Sequence, residues 1–309
     1  MYMHEKVIVT TTINPPTEAL IKFSQMEDWT LIVVADLITP LEGYSQMDCI
    51  IYSTQDQETD FPELSGMLGW KTIERRNLGF LKALELGAEI IATVDDDNVP
   101  LDNWGQDLIV GTELTLDSYD AESVFDPISV TNYPHLWHRG FPIQRLTQRA
   151  VNRSTEKVKV DIEASFWNGD PDIDAICRMQ FAPECEFDTE LFPFTSRQIS
   201  PFNSQNTFLT RAALKKYFMF PFVGRMDDIW GAYHILSQGF RVAYTSPSVF
   251  QLRNPHDLTI DFELETLGYK NTHLLIEALG KSSDAISQFI SARSLEALRE
   301  YLSQASKFD

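Results

Sequence analysis

Four short apolar runs, each followed by polar or turn-forming residues, with helix-like sequence in two of the three intervals between them, constrain this chain more than any other feature. Residues 6–13 are rich in β-branched side chains and closed by Asn14-Pro15-Pro16, the pattern of a strand ending in a turn. Residues 17–26 place Ala19, Leu20 and Phe23 on one helical face. Leu31-Ile32-Val33-Val34-Ala35 is apolar throughout and stops at Asp36, as expected of a parallel strand buried on both sides. Cys49-Ile50-Ile51-Tyr52 is a third such run. Residues 73–86 read as a helix with Leu78, Leu81, Ala83 and Leu84 inward; Gly87 ends it, and residues 89–94 form a fourth strand. Strands alternating with helices predict an α/β, Rossmann-like fold with an open, mostly parallel sheet flanked by helices. Ligands of such sheets bind beyond the carboxyl ends of the strands, where this chain carries Thr12, Asn14, Asp36, Ser53 and Asp95-Asp96-Asp97.

Beyond residue 100 the pattern is less regular, rich in Pro and aromatics, until a helical segment expected from Asn271 to the end. Its apolar stripe is Ile286, Phe289, Ile290, Leu295, Leu298 and Leu302, with Ser283 as an N-cap. We expect a catalytic domain over residues 1–260 and a helical extension over 261–309 packed on it. The length of 309 residues suits that division.

Charge excludes one large class of function. Lys and Arg total 25 against 45 Asp and Glu, a net charge of −20, whereas binding a nucleic-acid backbone requires clustered cations. Cys49, Cys177 and Cys185 form no C-x-x-C pair, so neither a disulfide framework nor a zinc site is expected, and a reducing compartment fits. The N-terminus does not resemble a signal peptide. No apolar run approaches the roughly 18 residues of a membrane span, so a cytoplasmic protein is expected. P-loop, G-x-G-x-x-G, G-x-S-x-G and H-E-x-x-H motifs are all missing.

The motif richest in chemistry is Asp95-Asp96-Asp97-Asn98, at the end of the fourth strand. Adjacent carboxylates repel, and a hard divalent cation, Mg2+ or Mn2+, relieves the repulsion while bridging to a diphosphate. The plainer reading is a solvated acidic turn. Asp227-Asp228 precedes a helical run, where acids complement the helix dipole or face a reacting sugar or hydroxyl. His256 follows strand-like sequence and by itself is more often a surface or buried structural residue than a ligand. Arg139, in Arg139-Gly140-Phe141-Pro142, belongs to a turn that would hold a guanidinium against a phosphate or carboxylate. Arg145, Arg149, Arg153 and Lys157 fall four residues apart, one basic face if the segment is helical.

Taken in series, several motifs are familiar. Thr11-Thr12-Ile13-Asn14-Pro15-Pro16, Val34-Ala35-Asp36, Arg75-Arg76-Asn77-Leu78-Gly79 and Asp95-Asp96-Asp97-Asn98 resemble the glycosyltransferase-like domain of the STELLO family. Arg139-Gly140-Phe141-Pro142, Trp167-Asn168-Gly169-Asp170-Pro171-Asp172-Ile173-Asp174-Ala175, Asn206-Thr207-Phe208 and Arg225-Met226-Asp227-Asp228-Ile229-Trp230 are similar to the reversibly glycosylated polypeptides, which act as UDP-arabinopyranose mutases. Phe141 departs from the tyrosine of the mutase pattern.

The resemblance implies a GT-A-type fold, a nucleotide-sugar donor and Mn2+. Asp95 and Asp97 would bind metal and diphosphate, with His256 near the position of a third metal ligand. Thr12, Asn14, Asp36 and Asp96 would line the nucleotide-sugar pocket, Arg76 and Asn77 would support ribose or diphosphate, and Arg139 would sit at the sugar. The expected activity is a divalent-metal-dependent glycosyltransferase that moves a sugar, most simply from a UDP-sugar, to a carbohydrate or glycoconjugate hydroxyl, with Asp227 or Asp228 as general base or cation stabiliser. A nucleotide-sugar mutase and a catalytically silent scaffold on the same fold are the alternatives.

Overall fold

The computed structural model describes residues 5–252 and 257–308, so His256 lies outside the described residues. Its strands are β1 (Lys6–Thr12), β2 (Thr30–Ala35), β3 (Ile50–Tyr52), β4 (Ile90–Val94), β5 (Asn98–Pro100), β6 (Glu113–Ala121), β7 (Val151–Lys159), β8 (Ile162–Gly169), β9 (Phe194–Thr195), β10 (Asn206–Thr210) and β11 (Val242–Gln251). The α-helices are α1 (Glu18–Phe23), α2 (Thr54–Asp60), α3 (Pro62–Leu68), α4 (Arg76–Glu85), α5 (Ala175–Phe181), α6 (Arg211–Leu214), α7 (Asp227–Ser237), α8 (Leu258–Leu279) and α9 (Ala292–Ala305).

The expected open α/β sheet is present, with helices packed against it. Its order is β3-β2-β1-β4-β10-β8-β11-β9-β6-β7, with β5 paired to β11. The first half is the parallel array read from the sequence: β1 lies between β2 (Val9 opposite Ile32) and β4 (Val9 opposite Thr93). Leu31 through Ala35 are all buried, which explains their unbroken apolar run. The second half mixes directions. Strand β10 runs antiparallel to β4 with Asn206 opposite Val94, so the residues entering β10 arrive beside the Asp95 turn.

Helix α4 fixes the other wall of that region. A Cβ on Gly79 would stand 2.5 Å from Val34 Cγ2 and 2.6 Å from Val9 Cγ1, so glycine lets α4 press onto β1 and β2. The preceding residues 73–75 form a 3-10 turn rather than the first turn of α4. Helix α2 has no apolar residue and α3 is a seven-residue helix that buries Leu64 and Leu68, so periodicity does not reveal either. The entry to α2 is nonetheless local: Ser53 and Asp56 form a capping box.

Two expectations are corrected. The basic series is not one helical face: Arg145 ends a 3-10 turn and Arg153 and Lys157 belong to β7. Each cation is paired, Arg145 with Glu277, Arg149 with Asp126, Arg153 with Asp117 and Lys157 with Glu113. The C-terminal helical segment begins at Leu258, not Asn271, and breaks into α8, a 3-10 turn (Ser283–Gln288) and α9. Ser291, rather than Ser283, caps the last helix. The division expected between residues 260 and 261 falls inside α8. Helix α9 is tied back to the sheet-flanking layer, with Arg293 donating to the Gly66 and Met67 carbonyls and Tyr301 to Leu214 O at 2.7 Å. Among the described residues no helix is long and apolar enough to cross a membrane.

Candidate functional site

Two adjoining cavities open where the carboxyl ends of β1, β2 and β4 meet. The first, of about 290 Å³, is lined by Thr11 to Asn14 after β1, Val34 to Asp36 after β2, residues 71–73, Arg75, Arg76, and Asp95 to Asp97. The second, of about 420 Å³, shares Lys71, Thr72, Ile73 and Asp95 with it. It continues to Glu74, Arg139, Ser204, Gln205, Gly224, Arg225, Asp227, Asp228 and Leu264.

Side chains and backbone knit the first cavity together. Asp96 accepts from Thr12 Oγ1 and, at 3.0 Å, from Asn14 Nδ2, so two β1-end residues brace the acidic turn. Thr17 Oγ1 donates to Asp96 O at 2.5 Å and caps α1. Asp36 accepts from Leu37 N at 2.6 Å and from Lys71 N at 2.7 Å. That second bond holds Lys71 at φ +60°, a left-handed conformation unfavourable for a residue with a side chain. Arg76, almost fully buried, donates to Asp95 Oδ1 at 2.7 Å and to Thr11 Oγ1, Thr93 Oγ1 and Ser204. Burial pushes the Asp95 carboxyl up, while the Arg76 guanidinium pulls it back. Arg75 is locked by Gln57, Ser65 and Gly69 and stacks 3.3 Å over Trp70.

The second cavity is built around a buried charge network. Arg139 donates through Nε to Asp172 Oδ1 at 2.8 Å and through both terminal nitrogens to Asp228 at 3.0 Å each. Asp228 also accepts from Ser204 N at 3.0 Å and Ser204 Oγ at 3.2 Å. Burial alone would depress the Arg139 guanidinium pKa, but Asp172 and Asp228 outweigh it and hold the group well above the usual arginine value. The fork therefore meets carboxylates, one of the two anions expected of it, and both belong to the protein. Gly140 sits at φ +77°, and a Cβ there would lie 2.3 Å from Ile229 Cγ2, so only glycine lets this loop reach α7.

Asp227 and Glu74 differ from Asp228. Both are buried against the second cavity, 6% and 7% exposed. Beyond a backbone N–H beside each, neither carboxyl makes a hydrogen bond or ion pair among the described residues. Burial raises Asp227 well above the usual carboxylate range, and the Asp228 and Glu74 charges add to it. Glu74 is pushed up to about 7, by burial first and then by the charge of Asp228.

The structure thus brings Thr12, Asn14, Asp36, Arg76, Asp95, Asp96 and Asp97 to one cavity, and Asp95, Arg139, Asp227 and Asp228 to the next. Asn77 does not belong with them. It is fully buried, and its amide exchanges both hydrogen bonds with Met219 backbone, at 2.8 and 3.0 Å. Arg76, expected at ribose or diphosphate, lines the first cavity with its guanidinium on Asp95. Glu74, Lys71, Asp172 and Ser204 went unassigned. Asp172 lies inside the Trp167–Ala175 motif and Ser204 adjoins Asn206-Thr207-Phe208, but nothing local marks their partners. Among the described residues no group of three or more His, Cys, Asp or Glu is arranged to hold a metal ion. Asp95 and Asp97 still offer hard oxygen donors to the first cavity, and Mg2+-type ions at phosphate sites commonly take one or two carboxylates with substrate phosphates and water completing the shell.

No protein-family model matches the chain, and no curated protein matches it. Among solved structures it is similar to glucosyl-3-phosphoglycerate synthase from Mycobacterium tuberculosis in complex with phosphoglyceric acid. The identity is 12% over 89% of this chain and 79% of that one, with a TM-score of 0.40. It is also similar to a mannosyltransferase from Pyrobaculum calidifontis in complex with GDP-Man and Mn2+, 11% identical over 98% of this chain and 86% of that one, with a TM-score of 0.34. Likeness at that level does not carry function, which has to be read from the site's own residues.

Proposed function

We propose that this protein is a nucleotide-sugar-dependent glycosyltransferase of GT-A type. The observation that carries the reading is the pair of adjoining cavities, the first at the carboxyl ends of β1, β2 and β4 and the second sharing Asp95 and residues 71–73 with it. A nucleoside diphosphate fits the first by chemistry: apolar Ile13, Val34 and Ala35 for a base, Thr12, Asn14 and Asp36 as polar partners, and Lys71 as a cation on the rim. A UDP-sugar is the donor we favour from the motif resemblance. The second cavity would receive the transferred sugar and an acceptor hydroxyl.

Asp95 and Asp97 would hold a divalent cation, Mn2+ or Mg2+, which when bound supplies charge compensation to a departing diphosphate. Every other role falls to the chain itself. Arg76 keeps Asp95 oriented as a carboxylate, and Thr12 and Asn14 keep the turn in place through Asp96. Asp228 and Arg139 neutralise one another and hold the 203–206 segment against the cavity. That leaves Asp227, of the two adjacent acids, as the one able to take a proton from an acceptor hydroxyl.

The test is product analysis. Purified protein is incubated with a panel of UDP- and GDP-sugars, with and without Mn2+ and with neutral sugar acceptors. The reading predicts donor consumption with acceptor-dependent product, lost in D97N. Ring-form conversion without acceptor would establish a mutase instead, and no turnover together with no nucleotide binding would leave a silent scaffold.

A further inference from the structure

Another cavity, of about 260 Å³, shares no lining residue with the two described above. It lies between the amino-terminal half of β8, the middle of β11 and residues 103–109. The strands that floor it break the pattern of the rest of the sheet. Alternation puts Glu163 and Ser165 of β8 on one face and Ala164 and Phe166 on the other. Phe166 packs in the core against Phe194 and Tyr244. On the opposite face Phe208 and Ala243 flank Glu163, and Thr245 stands beside Ser165. An interior strand covered on both faces is ordinarily apolar, as Leu31 to Ala35 are. Here Glu163, Ser165 and Ser248 are buried and polar, a local departure of the kind found at functional sites. Strand β11 also shifts register against β8 between Thr245 and Val249, an irregularity that carries Ser246 and Ser248 and can re-aim them. The 101–112 connection is tied down on either side of the cavity. Leu101 N donates to Ser248 O at 2.8 Å and Asn103 Nδ2 to Pro247 O at 3.1 Å, while Ile109 N and Val110 N donate to Glu163 Oε2 at 2.8 and 3.0 Å.

We propose that this cavity binds a neutral saccharide ring, at a site separate from the one where transfer takes place. The proposal goes beyond the glycosyltransferase reading and does not depend on it. No Lys, Arg or His lines the cavity, while Glu163 and Asp107 do, so an anionic ligand is excluded. Thr245 Oγ1 gives its proton to Glu163 Oε1 at 3.2 Å, so at 2.7 Å Ser165 donates to Thr245 and keeps its own lone pairs. With three donors on it, Glu163 has about one acceptor position left. That suits one ligand hydroxyl better than a cation, which would need the charge unanswered. Ser248 accepts from Asn206 Nδ2 at 2.8 Å and keeps its proton to donate. Ser246 Oγ makes no hydrogen bond among the described residues and can do either. Donors and acceptors side by side match sugar hydroxyls, which are both at once. Phe192, Pro193 and Phe208 supply the apolar wall for the C–H face of the ring.

The test is 1H-15N NMR of the full chain, titrated with methyl glucoside and methyl mannoside, and with putrescine and inorganic phosphate as the cationic and anionic probes. At least one glycoside should shift the amides of Gly105, Leu108 and Ser246 saturably, putrescine less, and phosphate not at all. The shifts should persist in D97N, which alters the first cavity, and vanish in S246F, which fills this one. T245V, which removes the hydroxyl between Ser165 and Glu163, should weaken the glycoside by roughly 2- to 10-fold, the worth of one hydrogen bond, and serves should S246F fail to fold. No saturable shift with either glycoside, a response confined to Thr12 and the Asp95 turn, shifts that survive both S246F and T245V, or stronger binding of putrescine or phosphate would overturn the proposal.

Discussion

Adjacent acids at residues 227 and 228 have opposite surroundings, and single substitutions should separate them. Asp228 forms both arms of a buried fork with Arg139 and takes two further bonds from Ser204. Removing one partner of such a pair strands the other charge, so D228N should cost about 3–5 kcal/mol in urea unfolding. D227N removes a crowded acid and should leave stability equal or higher at neutral pH while lowering turnover with little effect on donor affinity. Glu74 yields a prediction with a defined sign. Its folded pKa, about 7, lies above the unfolded value. Between those two values the unfolded chain has lost the proton and the folded one has kept it, so stability falls as pH rises, and the penalty is complete above about 7. E74Q should therefore unfold at the same temperature as wild type in acid and at a higher one at pH 8; a constant difference at all pH would contradict the assignment. The Asp95 run was legible because three adjacent acids at a strand end are conspicuous by themselves. Which of Asp227 and Asp228 is taken up by an ion pair was not, since Arg139 and Ser204 are remote in sequence. Glu74, beside Arg75 and Arg76, has the look of an ordinary solvated charge. Asn77 misled for the same reason, since a polar residue beside a site motif looks the same whether it faces the cavity or the core.

At the scale of elements, periodicity revealed the parts that are buried on one side or both. β1, β2, β3 and β4 lie within one or two residues of their expected limits, and the helix read over residues 73–86 is present as a 3-10 turn followed by α4. Helix α2 escaped because it is held by its cap and by Gln57, fully buried and bonded to Ala35 O and Tyr52 O, rather than by an apolar stripe, and α3, seven residues with only Leu64 and Leu68 as buried apolar side chains, is too short for its periodicity to show. The four-residue spacing of Arg145, Arg149, Arg153 and Lys157 misled because a spacing alone does not distinguish a helix face from a strand crossing into a turn. The loop at Gly140 makes a sharp prediction. Ala there would combine a left-handed backbone with a Cβ 2.3 Å from Ile229 Cγ2, so G140A should cost about 2–4 kcal/mol. Adding I229A removes the clash but not the strain, so the double variant should lose less than the sum of the two single losses. Strict additivity would show that the loop does not press on α7.

Over the whole molecule, the net charge of −20 makes the local arrangement of cations decisive for any anionic ligand. Two exposed cations of β7 are paired with β6 acids, Arg153 with Asp117 at 2.6 Å and Lys157 with Glu113 at 2.7 Å. Neutralising both, in R153Q/K157Q, should leave nucleotide affinity unchanged and alter stability by at most about 1 kcal/mol, as surface pairs do. A large loss of affinity would place the anion elsewhere than the cavities at β1, β2 and β4. The central claim is that the first cavity holds a nucleoside diphosphate and a divalent cation together. Its most direct test is a crystal of the full chain grown with UDP or GDP and Mn2+, examined for the anomalous signal of manganese. The account predicts a manganese peak at Asp95 and Asp97, with the diphosphate beside it and the base between the ends of β1 and β2. Nucleotide bound away from those strand ends, or at them with no manganese at Asp95 and Asp97, would contradict it.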